Sequence, residues 1–472
     1  KRSPFIMTQQ TTVAIVGGGI TGLCAGFYAA ERFGRDEVLV LEASDRPGGT
    51  VTTERSDGFV FDCGPNGFLD REPRMLEWIE ALGLSDELVR ANTAAARRFI
   101  LKNERLMEVK PPPAFLCSPL LSVRGRLRLL KEPFAPPPPE EGTPETIHEF
   151  AARRIGPEAA EMLVGPMVSG VFGGDARILS LQHCFPRMRA MEREHGSLTK
   201  AMLARRRNAS KKKGSPMGPG GVLTTLKGGI GTLPERAAER LGDSVRTGCE
   251  VTLVESAPAG GFRIYTAEGD AVESRYLVVA APAHAAADFL QGLDGATASA
   301  LGQTPYAALT VVCTAYRRED VAHPLDGFGF LAPRNQGERI LGCIWTSTLF
   351  PEQAPGDWVL LRTMIGGYGD PGAAQCSDQE LLDIIREDLH SLLAIEGDPA
   401  LYRIYRWPWA IPQYTVEHGK LLEAAERAEA AFPGLFLAGN AYRGVGMNDC
   451  VVSARNAIER LEALHGVDKE RA

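Results

Sequence analysis

"TTVAIVGGGITGLCAGFYAAERFG", residues 11–34, decides the fold. Its opening run, Thr11–Val16, is apolar and β-branched, the pattern of a strand buried on both faces. Gly17, Gly18 and Gly19 break that run, and a helix of small and apolar residues follows. The stretch from Thr11 to Ala30 is uncharged and long enough to imitate a membrane span. Three glycines in its middle, and polar Thr21, make it a strand–turn–helix instead. "DEVLVLEAS" then supplies a second strand that ends at Glu42. This β-α-β unit opens a doubly wound α/β fold.

The same residues carry chemistry. Gly17, Gly19 and Gly22 give G-x-G-x-x-G between strand and helix. The first glycine permits the tight turn, the second lets the backbone approach a pyrophosphate, and the third lets helix pack on strand. Glu42, twenty residues beyond Gly22, stands where an acid takes both ribose hydroxyls. An acid there repels a 2′-phosphate, which disfavours NADP and leaves FAD and NAD. Glycine spacing alone is weak evidence; strand, helix and acid together predict a dinucleotide site.

Working outward, 472 residues predict two or three domains, each able to bury a core. A net charge of −7 offers no general attraction to nucleic acid. The nine cysteines are scattered without a C-x-x-C pair, which argues against disulfides, zinc or an iron–sulfur cluster and for a reducing compartment. No H-E-x-x-H or other tight histidine spacing occurs, so no metal is expected. No signal peptide is read, and Met7 is expected to be the natural start, after an added "KRSPFI".

From about Pro73 to Lys213 the pattern is mainly helical. In "EGTPETIHEFAARRIG", Thr143 is read as the N-cap and Pro144 as the first helical residue. "KEPFAPPPPEEG" is a proline-rich connector, and "RRRNASKKKGSPMGPGG" (205–221) an exposed basic loop. Near Gly220 the chain returns to α/β units: "LKGGIGTLPERAAERLG", "SVRTGCEVTLVES" and "YLVVAAPAHAAADFL". Strands follow between about Ser299 and Trp409, and the last section holds "FLAGNAYRGVGMNDC" (436–450) and a terminal helix. The expected division is a cofactor domain from residues 10–90, 221–295 and 412–466, a helical insert over 91–220 and a mixed-sheet domain over 296–411.

Just past Glu42, "SDRPGGTVTTE" (44–54) adds a second glycine turn with Arg46, Gly48 and Gly49. That combination resembles the flavoenzyme superfamily of amine oxidases, phytoene desaturases and protoporphyrinogen oxidases. Further stretches are similar to the oxygen-dependent protoporphyrinogen oxidases: "FDCGPNGFLDREP" (61–73), "VSGVFGGDARILS" (168–180), "GFGFLAP" (327–333), "IPQYTVEHG" (411–419) and "AGNAYRGVGMNDC" (438–450). These matches run in order through nearly the whole chain.

The resemblance implies a Rossmann-like FAD-binding domain, a mixed-sheet substrate domain and a helical domain, α+β overall. For FAD it implies Gly17, Gly18, Gly19, Ile20, Thr21 and Gly22, then Glu42, Ala43, Arg46, Gly48 and Gly49. Gly64, Pro65, Asn66, Gly67, Val251, Gly439, Asn440, Val445, Gly446 and Met447 complete that set. Asn66 stands where some members have Arg, and "GPNGF" departs from the more usual "GPNSF". In the closing motif, the N-terminus of a second helix is expected to present unpaired N–H groups to the flavin edge that gains negative charge.

For substrate the resemblance implies Arg98, Gly170, Phe328, Leu331, Ile344 and Met364. Read without it, the apolar four are ordinary core strand residues. Arg98 suits a propionate, because a guanidinium fork matches a carboxylate, and Arg97 is its rival. The strand alternation of Phe99 and Leu101 puts Arg98 on the opposite face with Ile100. His418 is read as a packing or hydrogen-bonding residue.

The implied reaction is the six-electron oxidation of protoporphyrinogen IX by O₂, with hydride passing to the flavin and H₂O₂ released. It needs no strong base, and no catalytic side chain is assigned. Coproporphyrinogen III oxidation is the near alternative; an amine oxidase or a flavin-binding scaffold without turnover are more distant. "PPPAFLCSPLLSVRGRLRLL" (111–130), with Arg124, Arg126 and Arg128, suits an anionic membrane surface. A cytoplasmic enzyme peripheral to the membrane, a homodimer, and transient contact with ferrochelatase complete the expectations.

Overall fold

Thr8–Val16 is the central strand of a seven-stranded sheet, and Ile20–Phe33 is the helix that follows it. The computed structural model describes residues 8–110, 118–140, 142–208 and 221–471. Thr8–Val16 pairs in parallel with Val38–Leu41 on one side and Ala271–Val279 on the other. Leu435–Leu437 joins in parallel beside Ala271–Val279, so the strand ahead of the second glycine junction is one removed from the strand ahead of the first. Phe262–Thr266 and Val251–Ser256 extend the sheet antiparallel.

The pleat explains why these strands read as unbroken apolar runs. Val13, Ile15, Val38 and Val40 face the helix Ile20–Phe33 and the closing helix Met447–Arg471. Ala14, Val16, Leu39 and Leu41 face Ala283–Leu290 and His418–Ala431. Alternate residues serve opposite layers, and both layers are buried.

A second seven-stranded sheet runs in the order Leu401–Pro412, Tyr306–Arg317, Trp358–Gly366, Ile340–Trp345, Gly329–Leu331, Phe99–Lys102 and Arg105–Glu108. The last two strands fall within residues 91–220, the stretch expected to form the helical insert, and pair instead with this sheet. Their turn, Asn103 and Glu104, is left-handed at both positions (φ 50° and 57°), a two-residue hairpin without the glycine that usually signals one. Phe59 and Phe61, on Phe59–Asp62, pack against Val311, Cys313 and Leu360 of this second sheet. That contact carries the loop after Asp62 onto the face of the second sheet.

Between these sheets in sequence lie the helices of the insert. Ile147–Ile155 starts at Thr146 rather than Thr143. Thr146 Oγ1 accepts from the Glu149 N–H at 3.1 Å while Glu149 Oε2 accepts from the Thr146 N–H at 2.8 Å, a capping box that outcompetes the Thr-Pro signal upstream. Buried arginines and glutamates tie the helices together. Arg153 meets Glu192 at 2.6 Å and Glu145 at 2.8 Å, Arg154 meets Glu132 and Glu192, and Arg189 meets Glu145. Three cations face three carboxylates, so the group is neutral as a whole. The basic run of 205–221 lies largely outside the described residues, as does the first part of 111–130.

Candidate active site

The first junction is a cradle of backbone. Gly17 holds φ 104°, and a Cβ there would stand 2.8 Å from the Ala281 nitrogen. A Cβ on Gly22 would stand 1.8 Å from the Gly17 carbonyl oxygen, so the helix sits against its own entry turn. Nothing lies within 4 Å of a Cβ built on Gly19, which leaves that side open to a ligand. Glu42 is buried beneath: its Oε2 accepts from the Gly18 N–H at 2.6 Å and its Oε1 from the Ser44 N–H at 2.8 Å. A carboxylate has about four acceptor positions, so these two bonds leave capacity for the hydroxyls of a ribose.

The second glycine turn docks on the first. The Gly48 N–H donates to Gly18 O at 2.8 Å, and Gly49 (φ 58°) lies against Gly19. Arg46 is exposed and donates to Gly49 O at 3.2 Å. The Cys249 N–H donates to Glu42 O, and the Gly248 N–H to Ser44 O, so the segment leading into Val251 runs beside Glu42. Gly17 to Gly22, Glu42, Ala43, Arg46, Gly48, Gly49 and Val251 are therefore one neighbourhood at the carboxyl ends of the central strands, where such sheets bind dinucleotides.

The closing motif touches this cradle. Gly439 holds φ 109°, and a Cβ there would lie 3.5 Å from Thr21 Oγ1. Two contacts from "IPQYTVEHG" hold the loop after Gly439. The Tyr414 hydroxyl donates to Asn440 O, and His418 Nε2 lies 2.7 Å from Tyr442 O. Burial pushes the His418 pKa down to about 4, partly opposed by its bond to Tyr442. The ring is therefore neutral near pH 7, and a carbonyl partner requires Nε2–H to donate.

Met447 opens the closing helix, but not every N–H there is free. The Gly446 N–H donates to Asp449 Oδ2 at 3.1 Å, which corrects the expectation of unpaired groups at that position. Asp449 acts as the helix's own cap. Burial pushes its carboxyl pKa up, and the bond from Gly446 offsets part of that rise.

Gly64 to Gly67 form a third wall. A Cβ on Gly64 would stand 2.0 Å from Thr50 O, and one on Gly67 2.6 Å from Thr224 O. Glycine in place of serine at residue 67 thus matches a crowded backbone. Asn66 Nδ2 is buried without a hydrogen-bond partner, the state of a donor awaiting a ligand acceptor. Glycine cradle, buried acid and orphaned amide all fit FAD.

The substrate candidates lie on the second sheet. Leu331 pairs with Gly342 and Gly342 with Met364; Gly329 pairs with Ile344 and Ile344 with Arg362. By the two-residue period, Leu331, Ile344, Met364 and Arg362 share one face. Ile340–Trp345 is buried except at Ile344, and Trp358–Gly366 is buried except at Trp358 and Met364. Gly170 comes from the helix Gly165–Phe172, and a Cβ there would lie 2.7 Å from Leu331 Cδ2. Half-buried Phe328 packs beside Ile344, and the Arg98 guanidinium stands 5.3 Å from the Phe328 ring centroid.

Arg97 and Arg98 differ in their partners. Arg97 is paired with Asp326 and, at 3.0 Å, with Glu108. Arg98 is exposed and makes no ion pair among the described residues. Arg362 joins this face with a faint sequence signal, a lone cation in the apolar run "VLLRTMIGG". Asp449 is as faint in sequence, since it looks like any first-turn acid. No group of three histidine, cysteine or acidic side chains among the described residues could hold a metal ion.

Comparison with known proteins bears on this arrangement. Residues 20–461 match the flavin containing amine oxidoreductase family. Protoporphyrinogen oxidase 1 of Arabidopsis thaliana chloroplasts is 33% identical, over 96% of this chain and 88% of that protein. Coproporphyrinogen III oxidase of Bacillus subtilis is 31% identical, over 94% of this chain and 97% of that protein. A solved structure from Exiguobacterium sp. 255-15, provisionally assigned as a protoporphyrinogen oxidase, superposes with a TM-score of 0.82 at 28% identity, covering 96% of this chain and 99% of that one.

Proposed function

The chain belongs to the flavin containing amine oxidoreductases, and on that premise we propose that it oxidises protoporphyrinogen IX to protoporphyrin IX. It is an FAD-dependent oxidoreductase. The observation that carries the substrate reading is the partly exposed row Leu331, Ile344 and Met364, in strands otherwise almost wholly buried, with Gly170 opposite and Arg98 over Phe328 at its edge. Apolar side chains suit the face of a tetrapyrrole, and a guanidinium without an ion-pair partner suits a propionate at its rim.

Bound FAD would supply the hydride acceptor, with O₂ as the final oxidant, so that three two-electron oxidations would consume three O₂ and yield three H₂O₂. The chain's own contribution is placement. Gly170 lets the substrate ring approach a helix backbone, Arg98 anchors one edge, and the apolar face excludes water. In each two-electron step one C–H hydrogen would leave as hydride, while the accompanying proton would leave from a pyrrole N–H or by tautomerisation to solvent, so no strong side-chain base is assigned. Gly17–Gly22, Glu42 and Val251 hold the adenosine half. Gly64–Gly67, Gly439, Asn440 and Val445–Met447 line the ring.

A second reading, coproporphyrinogen III, rests on relatives that carry that name. Four propionates call for more free cations, and Arg97 is already engaged by two acids. Initial rates with the two purified porphyrinogens separate the readings: protoporphyrinogen is expected to give the higher kcat/KM, and a clear preference for coproporphyrinogen overturns the choice.

We further infer the division into an FAD domain of three segments, a helical insert and a substrate domain, supported by a first sheet that draws on residues 8–41, 245–279 and 435–437. No helix among the described residues is long and apolar enough to cross a membrane. Peripheral attachment in the cytoplasm is supported by the helix Val123–Leu130 and the turn after it, where Val123, Leu127, Leu130 and Phe134 are exposed in one row. Of the three arginines expected at that surface, Arg128 is engaged within the insert, donating to the carbonyls of Arg153 and Arg154. Homodimerisation and product hand-over to ferrochelatase belong to the same proposal. Co-sedimentation with anionic liposomes tests the attachment, and full retention in the supernatant removes it.

A further inference from the structure

Arg362 is a buried cation that touches no carboxylate among the described residues, although the Asp62 carboxylate acts on it from a distance. It is 5% exposed, at the middle of the second sheet, on the face that carries Ile344 and Met364. Its Nε donates to Asp62 O at 3.3 Å and its Nη2 donates to Gly64 O. Asp62 thus offers Arg362 its backbone, while its side chain is spent elsewhere. Thr53 Oγ1 donates to that carboxylate at 2.7 Å, Gln353 Nε2 at 2.9 Å and the Ile230 N–H at 3.0 Å. Among the described residues Arg362 makes no ion pair.

Burying a guanidinium against carbonyls alone is expensive, and an apolar residue there would pack more cheaply. A fold keeps such a group when its placement serves something other than stability. Here the two carbonyls belong to the segment that leads into Gly64–Gly67, the loop with the orphaned Asn66 amide. Arg362 thereby links the sheet of substrate candidates to the wall of the cofactor site, and brings a permanent positive charge to the seam.

We propose that Arg362 is a positioning residue for the reaction: it fixes the Gly64–Gly67 loop through two carbonyls and biases bound FAD toward its electron-rich reduced form. The proposal rests on the FAD placement given above, but not on the identity of the porphyrinogen. Fixed charge inside a site of low dielectric acts more strongly than in water, and an arginine keeps its charge when buried. The guanidinium reaches both carbonyls by separate donors, which an ammonium does less well.

The test uses the full-length holoenzyme and no porphyrinogen. Midpoint potential of the bound FAD and its dissociation rate are measured for wild type, Arg362→Lys and Arg362→Met. Arg362→Met is expected to lower the potential and to release FAD about tenfold faster or more, the scale of one charge-assisted hydrogen bond. Arg362→Lys is expected to keep most of the potential while still releasing FAD faster, because charge is retained and one carbonyl contact is lost. If Arg362→Met does not fold, Arg362→Lys and Arg362→Gln supply the same comparison. Unchanged potentials and release rates in the folded variants overturn the proposal, as does an equal fall in potential for Lys and for the neutral variant. Failure of porphyrinogen turnover in wild type would leave both readouts intact and would count only against the substrate reading.

Discussion

Gly22 shows how little freedom some single positions have. A methyl group there would stand 1.8 Å from Gly17 O, a backbone atom that moves only if the glycine turn moves. Gly22→Ala is expected to strain the turn by about 1–3 kcal/mol and to yield protein with less bound flavin. Visible absorbance per protein after purification checks this, and full flavin content in the variant contradicts it. Arg98 is the counterpart on the substrate side. Arg98→Ala removes a charge-assisted contact of about 1.5–3 kcal/mol and should raise KM by roughly tenfold or more with a smaller change in kcat. Arg97→Ala should lose its bonds to Asp326 and Glu108 and affect stability before substrate affinity.

At the scale of elements, the buried ion group of the insert sets an acid limit. Burial alone would raise the Glu132 carboxyl, but bonds from Thr199, Ser197 and Arg154 outweigh it and bring its pKa from 4.5 to about 2. A depressed carboxyl stabilises the fold fully above the unfolded value, and the contribution disappears as pH falls from about 4.5 toward about 2. Acid unfolding followed by circular dichroism should show the insert weakening across that window. Glu132→Gln should remove this part of the pH dependence while destabilising the protein by about 3–5 kcal/mol at neutral pH, since Arg154 loses a buried partner. The capping box gives a smaller effect: Thr146→Ala should cost about 1 kcal/mol, read as a lower thermal midpoint.

Elements also show where sequence is readable. Thr8–Val16, Ile20–Phe33 and Val38–Leu41 were legible because apolar runs, glycines and one acid agree locally. The Asn103–Glu104 hairpin was harder, since left-handed residues without glycine leave no turn signature. Thr143 misled for a similar reason: Thr-Pro is a sound helix start in isolation, and only the reciprocal bonds of Thr146 and Glu149 decide between two candidates three residues apart.

For the whole molecule, the site is assembled from segments hundreds of residues apart, so its pieces were legible but their seams were not. Glu42 could be matched to the glycines because both belong to one β-α-β unit. Arg362 could not be matched to Gly64, because only the packing of Phe59 and Phe61 on the second sheet brings them together. The contact between Thr21 and Gly439 likewise depends on parallel strands from the two ends of the chain. In the proposed reading the same assembly gives the two glycine junctions different work: one would cradle the dinucleotide, while the other, splinted by Tyr414 and His418, would close the ring end.

Hydride delivery from a porphyrinogen to FAD at this site is the proposal on which the rest depends. Mixing oxidised holoenzyme with protoporphyrinogen IX under anaerobic conditions, and following flavin absorbance in a stopped-flow instrument, tests it most directly. Rapid bleaching of the flavin, saturating with substrate, is expected, with an Arg98→Ala variant that needs more substrate to reach a similar maximal rate. A flavin that stays oxidised in the presence of excess protoporphyrinogen and coproporphyrinogen would contradict it.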